Sequence, residues 1–128
     1  MKKSIAMSLA AAAILSAAGA RAAGPAPKKT PELVAKGKAS YATNCAACHG
    51  DKGLGDGAAA AALDPKPRNL VTGAYRNGTT ADQVFATLEQ GIPGTTMTAF
   101  GHLPAEERWA LTYYVLDLRG AKSAKAKK

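Results

Sequence analysis

The stretch Gly37-Lys38-Ala39-Ser40-Tyr41-Ala42-Thr43-Asn44-Cys45-Ala46-Ala47-Cys48-His49-Gly50 decides the fold. Its first half belongs to a helix that starts at Thr30-Pro31-Glu32: a capping hydroxyl, a proline in the first turn, then an acid near the positive end of the helix dipole. Leu33, Gly37, Tyr41 and Cys45 recur at steps of four, which puts them near one face of a helix reaching about Asn44. The second half reads C-x-x-C-H, two thiols at the end of that helix with an imidazole on the next residue.

This spacing has a chemical reason. Thiols three residues apart can reach the two vinyl groups on adjacent sides of a porphyrin, and His49 can bring a ring nitrogen to the iron from below. C-x-x-C-H is the attachment sequence of a c-type haem. A thiol–disulfide redox pair uses the same C-x-x-C, but usually at a helix start after a strand, and no strand precedes Cys45. A zinc site needs four ligands; Cys45, Cys48, His49 and His102 are the only Cys and His available, and the adjacent Cys48 and His49 are awkward to close around one ion. A plain disulfide between Cys45 and Cys48 would be strained.

Downstream the chain is rich in glycine (Gly50, Gly53, Gly55, Gly57), with a short helix expected over Ala58 to Leu63. Asp64-Pro65-Lys66-Pro67-Arg68-Asn69 is held extended by its prolines, and Asn77-Gly78 is a turn. Thr80 and Gln83 have capping-box spacing at the start of a second main helix. Val84, Phe85 and Leu88 give that helix an apolar face, and Gly91 is placed to end it as a left-handed cap. Leu103-Pro104-Ala105-Glu106-Glu107 opens a third, where Trp109, Tyr113 and Leu116 line one stripe and Leu111, Val115 and Leu118 another. No alternating run of strand length occurs. The fold class is all-α, three main helices with long loops. Loops of this length are unusual in a compact domain unless functional. Only 5% of the 128 residues are aromatic, so the protein core is marginal. Both facts ask for a large apolar group at the centre.

A second axial ligand is sought in the loop Gly91-Ile92-Pro93-Gly94-Thr95-Thr96-Met97-Thr98-Ala99-Phe100. Met97 is the one methionine after residue 22. It sits in polar, glycine- and proline-shaped sequence, where no amphipathic stripe calls for core filler. A thioether suits low-spin iron. His102 is the competing ligand, although its place just before a helix start is an ordinary one for a surface or capping histidine.

Residues 1–22 read as a signal peptide: Lys2 and Lys3, the uncharged run Ile5 to Ala18, and Ala20-Arg21-Ala22 as the cleavage site. The run is shorter than the roughly 20 apolar residues that span a bilayer. No transmembrane span is therefore expected after cleavage. Residues 23–29 read as a flexible leader, 30–120 as the single domain, and 121–128 as a disordered basic tail. The formal charge of +8 is terminal: residues 30–120 carry eight basic and nine acidic side chains. Without a basic stripe on structure or stacking aromatics, no nucleic-acid partner is expected. The tail is a solvated end, or else a weak dock for an acidic partner or anionic membrane.

Over residues 30–119 the sequence resembles the class I c-type cytochromes, the small soluble mono-haem electron carriers. The matching stretches are Gly37-x-x-x-Tyr41-x-x-x-Cys45-Ala46-Ala47-Cys48-His49-Gly50, Gly55-Asp56-Gly57, Pro65-Lys66-Pro67-Arg68-Asn69-Leu70, Gly91-Ile92-Pro93-Gly94-Thr95-Thr96-Met97 and Glu106-Glu107-Arg108-Trp109. The resemblance implies a cytochrome c fold around one covalent haem c, bonded through Cys45 and Cys48, with His49 and Met97 on the iron. Gly37 would let the first and last helices cross closely, and Tyr41 would pack with Trp109 and Tyr113. The carbonyl of Pro65 or of Pro67 would accept the N–H of His49. Arg68, with Tyr75 and Arg76 behind it, would meet a haem propionate. The implied role is that of an exported, periplasmic, monomeric electron carrier between redox proteins, not an enzyme. Two other readings stand beside it: a fixed cytochrome subunit of a larger dehydrogenase or oxidase complex, and a peroxidase-like or gas-binding protein with an open sixth site.

Overall fold

The structure, a computed structural model, describes residues 24–125, with side chains through residue 120. The signal-peptide reading of residues 1–22 lies outside the described residues, as do residues 126–128 of the basic tail.

The domain is all-helical, with no strand among the described residues. Helix α1 spans Pro31–Asn44, with Thr30 Oγ1 accepting the N–H of Leu33 and Pro31 in the first turn. Helix α2 is a single turn, Ala46–His49, joined to α1 through Cys45. A 3-10 turn follows at Ala60–Ala62. Helix α3 spans Ala81–Gln90, and both halves of the Thr80–Gln83 capping box are made. Helix α4 spans Ala105–Lys125. Where the sequence suggests a disordered tail from residue 121, the helix continues to Lys125. Gly91 ends α3 with a positive φ of 69°, but its ψ of −166° is extended rather than left-handed helical. It leads the chain straight into the loop that carries Met97.

α1 and α4 cross at Gly37. A Cβ there would lie 2.0 Å from the carbonyl oxygen of Ala110, so only glycine lets the two backbones approach this closely. The step-of-four face Leu33, Gly37, Tyr41 and Cys45 is buried along its whole length. Ser40 is buried beside it; its hydroxyl donates to Glu107 Oε1 at 2.5 Å and accepts from Asn44 Nδ2 at 3.1 Å. The central cluster gathers Tyr41 and Cys45 from α1's end, Val84 and Leu88 from α3, and Leu111 and Val115 from α4.

The aromatic pairing differs from that expected. Tyr41 meets Tyr114 edge-on at 5.1 Å, not Trp109 and Tyr113. Ala110 and Tyr114 form the α4 stripe that faces α1, a stripe disguised by the smallness of Ala110. Trp109 turns the other way and stacks on Phe85 of α3 at 4.2 Å. Arg108, 7% exposed, lies over the same Phe85 ring at 4.7 Å, with Nη1 3.1 Å from Glu89 Oε1. The pair ties the end of α3 to the start of α4, the two anchors of the Met97 loop.

The leader is not free along its length. Tyr113 Oη donates to the Pro27 carbonyl at 2.6 Å, and Lys29 pairs with Asp117. Residues 27–29 are thereby held against α4, by contacts that a local reading of Pro25, Pro27 and the lysines cannot see.

Candidate haem-binding site

The attachment segment is built by one nearly continuous helical course. The N–H of Cys45 bonds to Tyr41 O at 2.9 Å and that of His49 to Cys45 O at 2.9 Å. The chain then turns at Gly50 and folds back on the end of α2. Gly55, Gly57 and Ala59 donate their N–H groups to the carbonyls of His49, Cys48 and Ala47 at 2.8, 3.1 and 2.9 Å. The glycine-rich loop thus satisfies carbonyls that a short helix would leave open. Tyr41 adds a buried bond from its hydroxyl to Gly50 O at 2.8 Å. Cys45 is buried and Cys48 half-buried, and no disulfide joins them.

His49 Nδ1 lies 2.9 Å from the carbonyl oxygen of Arg68. A carbonyl only accepts, so Nδ1 carries the proton and Nε2 is the free donor nitrogen. Burial lowers the His49 pKa, and the Arg68 carbonyl pulls the other way. The neutral ring is the form a metal requires. The acceptor is therefore the carbonyl of Arg68, and not that of Pro65 or Pro67. The prolines hold the strand extended, and the carbonyl that reaches the ring is the first one after them.

Most of the candidate site residues meet at one cavity of about 360 Å³. Cys45, Cys48, His49, Pro65, Pro67, Arg68 and Met97 line it, together with Tyr75 and Arg76. Leu70, Val84, Leu88, Phe100 and Val115 supply apolar wall. No lining residue is acidic, and Lys66, Arg68 and Arg76 are basic. His102 does not line the cavity; it is exposed, with its ring 5.9 Å from that of Phe100. Arg68 already donates from Nη1 to Ala74 O, so its side chain is partly engaged by the protein itself.

The Met97 loop is stitched by its own backbone and by a residue that sequence reasoning passed over. Ile92 N–H donates to Met97 O at 3.0 Å. Thr95 Oγ1 donates to Ile92 O at 2.7 Å and accepts the N–H of Met97 at 3.1 Å. A threonine two residues before the methionine was the available signal, since a hydroxyl there bonds nearby backbone. At the loop's far end Phe100 N–H returns to Leu88 O at 2.7 Å.

The residues fit a haem. Two cysteine side chains and a neutral imidazole, at the junction of α1 and α2 and on α2 itself, open onto an apolar cavity that a thioether also lines. The basic side chains match a group carrying carboxylates. Among the described residues, no group of three or more His, Cys, Asp and Glu is arranged to hold a bare metal ion.

Fold and site together define a c-type cytochrome domain. The chain belongs to the family described as cytochrome c oxidase, cbb3-type, subunit III, whose model matches residues 32–115. Membership implies covalently bound haem c and a role in electron transfer with redox partners. Among solved structures, the chain is similar to one from the Kuenenia stuttgartiensis reducing HAO-like protein complex Kustc0457/Kustc0458. The two are 32% identical with a TM-score of 0.71, over 76% of this chain and 48% of the other. This chain therefore matches about half the length of that one. No curated protein matches it. No described helix is long and apolar enough to cross a membrane.

Proposed function

We propose that the chain is an exported, monomeric, mono-haem cytochrome c that passes single electrons between redox proteins, its iron held by His49 and Met97. The observation that carries this reading is that Cys45, Cys48, His49 and Met97 line one apolar cavity while His102 stays outside it. Export to a periplasm rests on the signal-peptide pattern of residues 1–22.

When bound, the haem supplies one-electron chemistry through its iron. The chain's part is to hold and insulate it. Cys45 and Cys48 anchor it at the end of α1. His49 offers Nε2, its ring fixed through Nδ1 by the Arg68 carbonyl, a bond that also makes the ligand more basic. Met97 offers its sulfur from a loop held at Ile92 and Thr95, so little of the protein has to rearrange when the charge on the iron changes. Val84, Leu88, Phe100 and Val115 keep water from the centre.

A second reading, a fixed subunit of a larger redox complex, is favoured by the similar chain, which comes from a complex and of which this chain matches about half the length. The two readings share this chemistry and differ in how long the partner stays. The axial pair is tested with Met97→Ala and His102→Ala in the haem-loaded protein. Met97→Ala is expected to bind carbon monoxide and to have a lower potential; His102→Ala is expected to match the wild type. The reverse pattern would move the axial role to His102.

A further inference from the structure

The segment 69–76 follows the carbonyl that holds His49, and it is folded into a small knot. Asn69 Oδ1 accepts the N–H groups of Val71 and Thr72, each at 2.9 Å, and Gly73 N–H donates to Asn69 O at 2.9 Å. Tyr75 Oη donates to Leu70 O at 2.7 Å, and the Arg68 guanidinium donates to Ala74 O. Gly73 is pressed against this knot: a Cβ there would lie 2.5 Å from Asn69 O and 3.0 Å from Arg68 Cγ. These bonds tie the segment to the Arg68 backbone.

Two tethers fix it to the rest of the domain. Leu70 N–H donates to Gly53 O at 2.7 Å, on the glycine-rich loop. The other tether is Arg119, on the far part of α4. Its Nη1 donates to Gly73 O at 2.8 Å, and its guanidinium lies over the Tyr75 ring, 4.9 Å from the centroid. A planar fork that bonds a carbonyl and covers a ring at once cannot be reproduced by lysine. Arg119 itself does not line the cavity.

We infer that Arg119 is a positioning residue for the axial histidine: by clamping Gly73 and Tyr75 it fixes the Arg68 carbonyl against His49 Nδ1. The inference rests on the reading of His49 as an iron ligand. A weaker bond at Nδ1 makes the imidazole a poorer donor to oxidised iron, so the potential rises when the clamp is loosened. Removing the cation pulls the potential the other way, and Arg119→Lys separates the two because it keeps the charge.

The test uses the haem-loaded wild type, Arg119→Lys and Arg119→Gln. The readouts are solvent exchange of the His49 Nδ1 proton by NMR and the reduction potential. The wild type is expected to show His49 resonances shifted by the iron, with a slowly exchanging Nδ1 proton. Both variants are expected to exchange it about fivefold faster or more, and Arg119→Lys to shift the potential upward. If Arg119→Gln does not mature, Arg119→Lys carries the comparison. Unchanged exchange with only a lower melting temperature would make Arg119 a packing residue and overturn the inference. A wild type without iron-shifted His49 resonances would reject the axial role itself.

Discussion

Gly37 and Ala110 stand so close that a methyl group on Gly37 would fall 2.0 Å from the Ala110 carbonyl oxygen and 3.0 Å from Tyr114 Cβ. Backbone blocks one side of that space, so no side chain can swing away to make room. Gly37→Ala has to push α1 from α4 along the face that carries Tyr41 and Cys45. We expect a loss of about 3 kcal/mol, read as a fall of roughly 15 °C in the melting temperature of the haem-loaded protein. An unchanged melting temperature would mean that the crossing is looser than described.

In the proposed reading Cys45 and Cys48 anchor the haem that fills the centre of a domain with few aromatic side chains. Cys45→Ala combined with Cys48→Ala is expected to abolish covalent haem and most of the helical circular dichroism. A folded variant without haem would show that protein side chains alone can close the core.

Glu89 and Arg108 join the anchors of the Met97 loop. Arg108's side chain is 9% exposed and Glu89's is 40% exposed. Neither Nε nor Nη1 of Arg108 has a hydrogen-bond partner, so the ion pair of Nη1 with Glu89 is the chief compensation for its charge. Glu89→Ala is expected to cost about 1–2 kcal/mol, less than a fully buried pair because water reaches the carboxylate. Denaturant unfolding measures it, and a neutral result would assign the Arg108 charge to the Phe85 ring instead.

Lys36 and Glu106 pair at 2.6 Å on the surface, and each shifts the other. The hydrogen bond to Lys36, then its charge, lowers the Glu106 pKa; the same partner raises that of Lys36. Glu106's contribution is present above the ordinary carboxylate value and fades as pH falls through the lowered one. Lys36's contribution is present below the ordinary ammonium value and fades as pH rises through the raised one. A double-mutant cycle with Lys36→Ala and Glu106→Ala should give a small coupling at neutral pH, vanishing in strong acid and in high salt. Coupling that survives acid or salt would contradict an ionic origin.

Much of this domain is legible one residue at a time. Thr30, Pro31 and the step from Leu33 to Cys45 mark α1, Thr80 and Gln83 mark α3, and C-x-x-C-H marks the site, because each signal is local. The less legible features depend on where distant backbone comes to lie. Arg68 rather than Pro65 or Pro67 bonds His49, since the path of an extended segment decides which carbonyl reaches the ring. Tyr41 meets Tyr114 because Ala110, too small to register as a stripe, lets α4 face α1 there. Residues 27–29 lie along α4 through Tyr113 and Asp117, some ninety positions away. The Arg119 clamp on Gly73 is hidden for the same reason.

The central claim is that His49 and Met97 hold one covalent haem for electron transfer. The most direct measurement is the optical spectrum of the oxidised, haem-loaded protein. A low-spin spectrum with the weak charge-transfer band of a methionine–iron bond is the expected result. A covalent haem spectrum without that band would contradict it and turn attention to His102 or an open sixth site.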